Sequence, residues 1–217
     1  MKNIIATACP SVVMLVERHY PELIKYLAPV SSPMMAHAKL MRETYGDIKV
    51  VFAGPCLSKM EETSDPLAGG MVNYALTFDA MDRWMQGQGV TVDDSELDEE
   101  ACGVLSPVAR LYPEPTGILK TLTKEETEGY TPVAVDGLEN CIQLMESLRR
   151  EEPDGLFIEA NLCSGGCLGG PVMRMHGINS TLAACTLSSE PAAFDTNPAQ
   201  SAQNRSSYPR VFQNRRP

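Results

Sequence analysis

The sequence predicts an α/β fold with mostly parallel sheets flanked by helices. Short apolar runs rich in Ile and Val recur along the chain, and segments with helical apolar spacing lie between them. Strands that alternate with helices in this way indicate a mostly parallel sheet. Hydrophobic residues make up 43% of the 217 residues, which is enough to bury a core.

Each predicted element is a short segment with its own boundary signal. The strand predictions are Asn3–Thr7, Ile48–Gly54, Asn73–Phe78, Thr131–Val135 and Leu156–Ala160. The helix predictions are a segment opened by Pro10, then Pro33–Gly46, Asp79–Met85 capped by Asp79, a helix near Gly117–Leu122, and Leu138–Arg150. Proline favours a first helical position and glycine a helix end, which sets several of these limits. The rest of 88–131 has no readable pattern.

Composition excludes several classes of function. The net charge is -10, and no basic stripe occurs outside the last few residues, so nucleic-acid binding is not expected. The apolar stretch before Cys9 is too short for a secretory signal, and Pro10, Glu17 and Arg18 interrupt any membrane span. Seven cysteines form an odd set without the spacing of a secreted scaffold. We therefore expect a cytoplasmic protein in which some thiols bind metal.

Residues 162–171, LCSGGCLGGP, combine a C-x3-C pair with two Gly-Gly pairs. Glycines let a backbone wrap closely around a ligand and turn its amides inward. One alternative is a plain turn with two incidental thiols, and another is zinc. Zinc sites usually use C-x2-C pairs, and this chain contains none. A C-x3-C pair completed by two distant cysteines suits an iron–sulfur cubane better.

Three predicted strands are each followed by a cysteine. Cys9 follows the first strand, Cys56 the second, and Cys163 and Cys167 the last. Ligands gather at the carboxyl ends of parallel strands, so the four thiols are expected at one edge of the fold. Cys141 falls within a predicted helix and is interpreted as a small buried apolar residue. No role is assigned to the two cysteines at positions 102 and 185.

Three segments together resemble the signatures of iron-only hydrogenases. They are TACP (7–10), PCLSKMEE (55–62) and EANLCSGGCLGG (159–170), and they resemble TSCCP, MPCxxKxxE and ExMACxGGCxxGGG in the same order. The stretches HYPELIKYL, NYALTF and VAVDGLENC also resemble this family. The resemblance covers about residues 3–175 and implies the family's catalytic-domain fold, with the cluster at the strand carboxyl ends.

The resemblance implies a ligand set for the H-cluster, a 4Fe-4S cubane joined to a two-iron subcluster. It implies that Cys9, Cys56 and Cys163 bind the cubane, and that Cys167 binds it and bridges to the two-iron unit as a catalytic ligand. It also implies that Lys59 hydrogen-bonds a cyanide of that unit, which suits a compact ammonium donor. An ordinary surface lysine is the alternative for Lys59.

The sequence also departs from the family pattern. Ala8 stands where active members have a cysteine that relays protons, and an alanine methyl cannot carry one. Gly54 and Asn161 replace methionines that pack against the two-iron unit. These departures resemble sensory or otherwise divergent branches. Glu62 and Glu159 match acidic positions of the family, with surface or capping carboxylates as the alternative.

The favoured interpretation is an H-cluster domain that interconverts dihydrogen with protons and electrons, slowly, or senses dihydrogen. Its implied partners are a ferredoxin-like electron donor, or an N-terminal cluster domain ahead of the first signature, and maturation proteins. The alternative is a cubane-binding non-hydrogenase relative of the iron–sulfur assembly type, and a zinc module ranks third. We expect residues 1–177 to form a partial H-cluster-binding domain. Residues 178–217, rich in Ser, Asn, Pro and Ala, are expected to be a disordered or non-native tail.

Overall fold

The fold contains five strands and seven α-helices within the part of the chain that the computed structural model describes, residues 1–68, 70–91, 111–150 and 153–189. In chain order they are β1 (Ile4–Ile5), α1 (Pro10–His19), α2 (Pro33–Tyr45), β2 (Val51–Ala53), α3 (Ser58–Ser64), β3 (Tyr74–Leu76), α4 (Phe78–Gly87), β4 (Thr131–Asp136), α5 (Leu138–Arg149), β5 (Leu156–Asn161), α6 (Pro171–Met175) and α7 (Ser180–Ser189). Short 3-10 helices cover Pro21–Tyr26, Pro66–Ala68, Leu119–Thr121 and Gly166–Gly169. None of the described helices is long and apolar enough to cross a membrane.

Two parallel sheets divide the chain into two halves, each with its own core. The three-stranded sheet has the order β1-β5-β4, and the two-stranded sheet pairs β2 with β3. Every described pair of strands is parallel, so the predicted α/β class is confirmed. We call the elements around the first sheet the first half, and those from α2 to α4 around the second sheet the second half.

The first half is built on the central strand β5 with α1 and α5 packed nearby. Ile5, Val12, Val16, Met145 and Ile158 have no exposed surface and lie in one apolar cluster. The polar Asn3 is also buried there, where its Oδ1 accepts a hydrogen bond from the Leu156 amide at 2.9 Å. This bond fixes β1 beside the start of β5, which sets the register that later brings Cys9 near the end of β5.

The second half has a smaller core. Its buried residues come from α2 and from the residues that precede the two strands: Met34, Met35, Ala38, Val50 and Val72. Ser32 caps α2 by accepting a hydrogen bond from the Met35 amide, and Gly46 follows the helix with a φ of +78°. The second half therefore forms a separate hydrophobic unit, and the two halves are joined where α3 packs against α1.

Several sequence-based boundaries differ from the structure. Thr77, not Asp79, caps α4, since its Oγ1 accepts the hydrogen bond from the Ala80 amide. The helix expected near Gly117–Leu122 is reduced to the 3-10 helix Leu119–Thr121. The helix α3 was not predicted, because its sequence SKMEETS has no apolar periodicity of its own.

One described helix follows Gly177 within the expected tail segment 178–217, and the domain boundary at 177 stays a prediction. Residues 180–189 form α7, and the Asn179 side chain accepts hydrogen bonds from the Thr181 and Leu182 amides at its start. This helix contacts the 3-10 helix Gly166–Gly169. The acidic run Asp93–Glu100, the thiol at position 102 and the tail from 190 onward lie outside the described residues. For residues from 190 onward the disordered or non-native tail stays a prediction.

Replacing Met145 with alanine should reduce the free energy of unfolding by about 2–5 kcal/mol, because Met145 is fully buried and the change leaves a cavity in the first half. Urea titration of the metal-free chain measures the effect. The matched control is Met60→Ala, since Met60 is 43% exposed and its loss should cost below about 0.5 kcal/mol. Equal losses for the two variants would contradict this assignment of the core.

Candidate metal centre

Three strand ends deliver the four predicted ligand thiols to one region. β1 leads to Cys9, which precedes α1, and β2 leads to Cys56 just before α3. β5 ends at Asn161, and Cys163 and Cys167 follow in the glycine-rich loop. The thiols of Cys9, Cys56 and Cys163 each act electrostatically on Cys167. The structure thus places Cys9, Cys56 and Cys163 near enough to Cys167 to act on it, although Cys56 belongs to a different half from the other three.

The environment of these thiols favours their neutral form in the absence of metal. Burial, the largest cause, and the nearby Cys56, Cys9 and Cys163 together raise the pKa of Cys167 to about 12, and the Lys59 ammonium opposes them. Burial also raises the pKa of Cys163, with contributions from Cys9 and Cys56, while Arg174 lowers it. Thiols bind metal as thiolates, so metal binding here would release protons.

The glycine-rich loop adopts a backbone that side chains could not share. Gly166 has a φ of +65°, and a Cβ there would lie 2.6 Å from the Pro113 carbonyl oxygen. A Cβ on Gly169 would lie 1.8 Å from the Ser164 carbonyl oxygen. The glycines are therefore needed for the loop to fold back on itself around the C-x3-C pair.

Hydrogen bonds hold this loop from two sides. Asp136, at the end of β4, accepts a hydrogen bond from the Gly165 amide through Oδ2 at 2.7 Å. The Cys167 amide donates to the Pro113 carbonyl oxygen at 2.8 Å. The sequence does not indicate this role of Pro113, because Pro113 lies in a segment without a clear helix or strand pattern. The segment PEPTG at 113–117 is typical of a turn but does not indicate what the turn contacts.

Two buried carboxylates fasten the segment that carries Pro113. Glu159 is 1% exposed, and its Oε2 accepts a hydrogen bond from the Leu119 amide at 2.9 Å. Burial raises its pKa more than the accepted hydrogen bonds lower it. Glu114 is also buried and pairs with the Lys120 ammonium at 2.6 Å. Glu159 thus joins the 3-10 helix Leu119–Thr121 to β5.

Lys59 is buried at the junction of the two halves and is not an ordinary surface lysine. It is 8% exposed, and its Nζ donates to the Ala8 carbonyl oxygen at 3.0 Å and to Glu62 Oε2 at 2.7 Å. Glu62 lines a groove of about 300 Å³ between α1 and α3, together with Glu61. The ammonium therefore lies between this groove and the thiols, since its charge acts on Cys167.

The three residues that depart from the family signatures are Ala8, Asn161 and Gly54, and the structure shows the contacts of each. Ala8 receives the Lys59 hydrogen bond through its backbone, so its methyl group takes no part in that contact. Asn161 is buried, and its Nδ2 donates to Glu159 Oε1 at 3.4 Å. Gly54 is buried, and a Cβ there would lie 2.7 Å from the Phe52 ring.

The other two described cysteines, Cys141 and Cys185, are not proposed metal ligands. Cys141 has no exposed surface, as expected for a small core residue, and burial raises its pKa to about 11. Its Sγ donates to the Asn161 carbonyl oxygen at 3.5 Å. Cys185 lies exposed on α7.

The donor set is of the kind a cubane takes. In the described part of the chain, no group of three or more His, Cys, Asp or Glu side chains could hold a single metal ion. A cubane has a different requirement, because each of its four thiolates binds its own iron atom. Three thiols that act on Cys167, a loop with four glycines and a buried ammonium fit that requirement. The assignment of individual ligands stays a prediction.

Comparison with known proteins gives one family. The family described as "Iron only hydrogenase large subunit, C-terminal domain" matches residues 1–171. The cytosolic Fe-S cluster assembly factor NAR1 of Encephalitozoon cuniculi is 26% identical over 189 residues. That alignment covers 78% of this chain and 51% of NAR1, so the chain spans about half the length of this curated relative.

Solved structures of FeFe hydrogenases share the fold. A variant of HydA1 from Chlamydomonas reinhardtii superimposes with a TM-score of 0.57 at 17% identity, over 83% of this chain and 65% of that one. An FeFe hydrogenase studied for oxygen inactivation at the 2Fe subcluster gives a TM-score of 0.62 at 17% identity, over 97% and 71% of the two chains. At these identities the likeness establishes the fold alone, and it agrees with the fold that the signatures imply.

Alkylation of the native, metal-free chain should distinguish these thiols. At about pH 8 a thiol with a pKa near 12 is roughly 10⁻⁴ thiolate, so Cys167 should react with iodoacetamide far more slowly than exposed Cys185. Its rate should climb as the pH is raised towards 12, because the thiolate is the reacting form. Peptide mass spectrometry measures each site, and the urea-unfolded chain is the control. Equal native rates at Cys167 and Cys185 would refute the burial of Cys167.

Proposed function

The chain belongs to the family formed by the C-terminal domain of iron-only hydrogenase large subunits, and we propose that it binds a 4Fe-4S cubane through the thiolates of Cys9, Cys56, Cys163 and Cys167. The observation that supports this most directly is that Cys9, Cys56 and Cys163, which follow three strand ends, each act electrostatically on Cys167. When bound, such a cluster supplies one-electron transfer.

The surrounding residues are suited to an anionic cluster. Four thiolates add negative charge to a site that desolvates them, and the buried Lys59 ammonium and the nearby Arg174 guanidinium partly compensate it. Glycines at four positions of the loop let its backbone fold tightly around the C-x3-C pair. Asp136 and Pro113 hold the loop in this shape through the Gly165 and Cys167 amides.

The first candidate function is that of an H-cluster domain, in which Cys167 would bind a two-iron unit in addition to the cubane. Lys59 supports it, since a buried ammonium beside Cys167 is a suitable donor to an anionic diatomic ligand. An ammonium has three N–H donors, and Ala8 and Glu62 engage two of them. Ala8 offers no titratable atom for proton transfer, so this domain would turn over dihydrogen slowly or sense it. An electron donor and maturation proteins would be its partners in the cytoplasm.

The second candidate is a cubane protein of the iron–sulfur assembly type, without a two-iron unit. Two observations favour it. The alignment with the NAR1 assembly factor covers 78% of this chain, and Ala8 removes the relay position that hydrogen turnover uses. In this case the four cysteines keep their role, and Cys167 binds only the cubane.

Anaerobic reconstitution with iron and sulfide should give about four irons per chain, the content of one cubane, with a broad thiolate-to-iron absorption. Replacing any of the four proposed ligands by serine should lower the iron content and shift the spectrum. The matched controls are Cys141→Ser and Cys185→Ser, which should keep four irons because neither thiol is a proposed ligand. Loss of the cluster in Cys141→Ser, with a normal cluster in Cys56→Ser, would show that the ligand set is wrong.

Infrared spectroscopy after co-expression with hydrogenase maturation enzymes distinguishes the two candidates. Iron-bound carbonyl and cyanide absorb where proteins have no bands, so we expect these bands from the matured H-cluster domain. The control is Cys167→Ser, which removes the proposed bridging ligand and should abolish them. A cluster-loaded chain that shows no such bands would favour the assembly-type protein, and the cubane assignment would remain.

A further inference from the structure

The four proposed ligands are divided between two separately packed halves of the chain. Cys9, Cys163 and Cys167 belong to the first half, around the three-stranded sheet, and Cys56 belongs to the second. Each half has its own apolar cluster, and the two clusters share no residue. A bound cubane would need all four thiols at fixed separations, so something must set the distance between Cys56 and the other three.

The contact between α1 and α3 lies next to Cys9 and Cys56 in the chain. Cys9 immediately precedes α1, and Cys56 lies two residues before α3. Ser11 and Ser58, near the starts of the two helices, share a hydrogen bond. Arg18 and Glu61 form an ion pair further along the same helices, but both side chains are more than 60% exposed. Exposed pairs of this kind contribute little to holding two elements together.

Lys59 makes the buried charged contact across this junction. Its side chain is 11% exposed and leaves α3 to reach the carbonyl oxygen of Ala8, the residue before Cys9. Glu62, one turn further along α3, pairs with the same ammonium and orients it from the α3 side. A charge-assisted hydrogen bond in a buried site is stronger than a neutral one, and a carbonyl oxygen fixes the direction of the donor.

We propose that Lys59 is a positioning residue that clamps the backbone before Cys9 to α3, and so fixes the separation of Cys9 and Cys56 before any cluster binds. This role of Lys59 deepens the proposed cubane function and rests on it, because the separation of Cys9 and Cys56 matters for binding the cluster. The clamp itself requires no iron. It also gives Lys59 a role that is independent of any two-iron unit, because its two described bonds are made to the protein itself.

Thiol bridging by dibromobimane in the metal-free chain tests the clamp. This reagent becomes fluorescent after it links two neighbouring thiols, and peptide mapping identifies the linked pairs. Labelling of Cys185 by the same reagent serves as an internal standard, because that thiol is exposed and lies on α7, outside the junction of α1 and α3. We expect Lys59→Met to lower the ratio of Cys9–Cys56 links to labelled Cys185 about tenfold, as for the loss of one charge-assisted hydrogen bond.

Three further variants control for other causes. Lys49→Met makes the same chemical change at an exposed site and should leave the ratio unchanged. Lys59→Arg keeps the charge and the donors, and should restore much of the ratio that Lys59→Met loses. Ser11→Ala removes the neutral contact at the same junction and should lower the ratio less than Lys59→Met does. If Lys59→Met fails to fold, Glu62→Gln, which frees the ammonium of its charged partner, should give a smaller decrease of the same kind.

The outcomes separate the clamp from the cubane. An unchanged ratio in folded Lys59→Met, an equal loss in Lys49→Met, or a wild-type chain that is labelled at Cys185 but never links Cys9 with Cys56 would each overturn the clamp. Two results together would overturn the cubane proposal and leave the clamp standing. They are a wild-type chain that takes up no iron and a Lys59→Met chain that loses the Cys9–Cys56 link. In a loaded chain, Lys59→Met should also release iron to a chelator about tenfold faster, since one charge-assisted hydrogen bond is lost.

Discussion

The candidate site depends on one constraint, which is that four thiols must meet from two halves that have separate hydrophobic cores. The apolar clusters around Ile158 and around Met35 can each form without the other. Hydrophobic packing is not directional, so it brings the halves together but does not set a thiol separation to within an ångström. Directional contacts can do this, and several lie where α3 meets α1. Among them, the buried one is the charge-assisted hydrogen bond that the Lys59 ammonium donates to the neutral Ala8 carbonyl oxygen.

Several carboxylates in the segments around the thiols are buried or partly buried, and each of those described has a hydrogen-bond or ion-pair partner. Asp136 accepts the Gly165 amide, Glu159 accepts the Leu119 amide, and Glu114 pairs with Lys120. In the described residues no buried side-chain nitrogen or oxygen lacks a hydrogen bond. An unpaired buried carboxylate would be costly, so these groups specify one conformation of the loops. The loops in turn bury Cys167 and raise its pKa to about 12, which makes metal binding and proton release parts of one event.

The hydrogen bond from Lys59 to the Ala8 carbonyl oxygen changes what the lysine indicates about function. The sequence alone favours an H-cluster because a lysine in the second signature has a ligand to bind in hydrogenases. The structure adds a second reason for the lysine, since it is bonded to the chain's own backbone at Ala8. Retention of Lys59 is therefore compatible with either candidate function. Ala8 would slow hydrogen turnover in the H-cluster candidate, because an alanine side chain cannot relay a proton, and it has no such consequence for the assembly-type candidate.

The sequence by itself determined the α/β class, most strands and helices, and the four cysteines that follow strand ends. It could do so because β-branched runs, proline, glycine and cysteine spacing are local signals, and because three signatures are specific in combination. Only the tertiary structure decided how Cys56 joins the others, why Glu159 is buried, and that Pro113 holds Cys167. These contacts link residues 40 to 54 positions apart, and no local pattern encodes which distant carbonyl or amide a side chain will meet. The helix α3 illustrates the same limit, since its polar sequence shows no apolar period and does not indicate that the helix packs against α1 and β3.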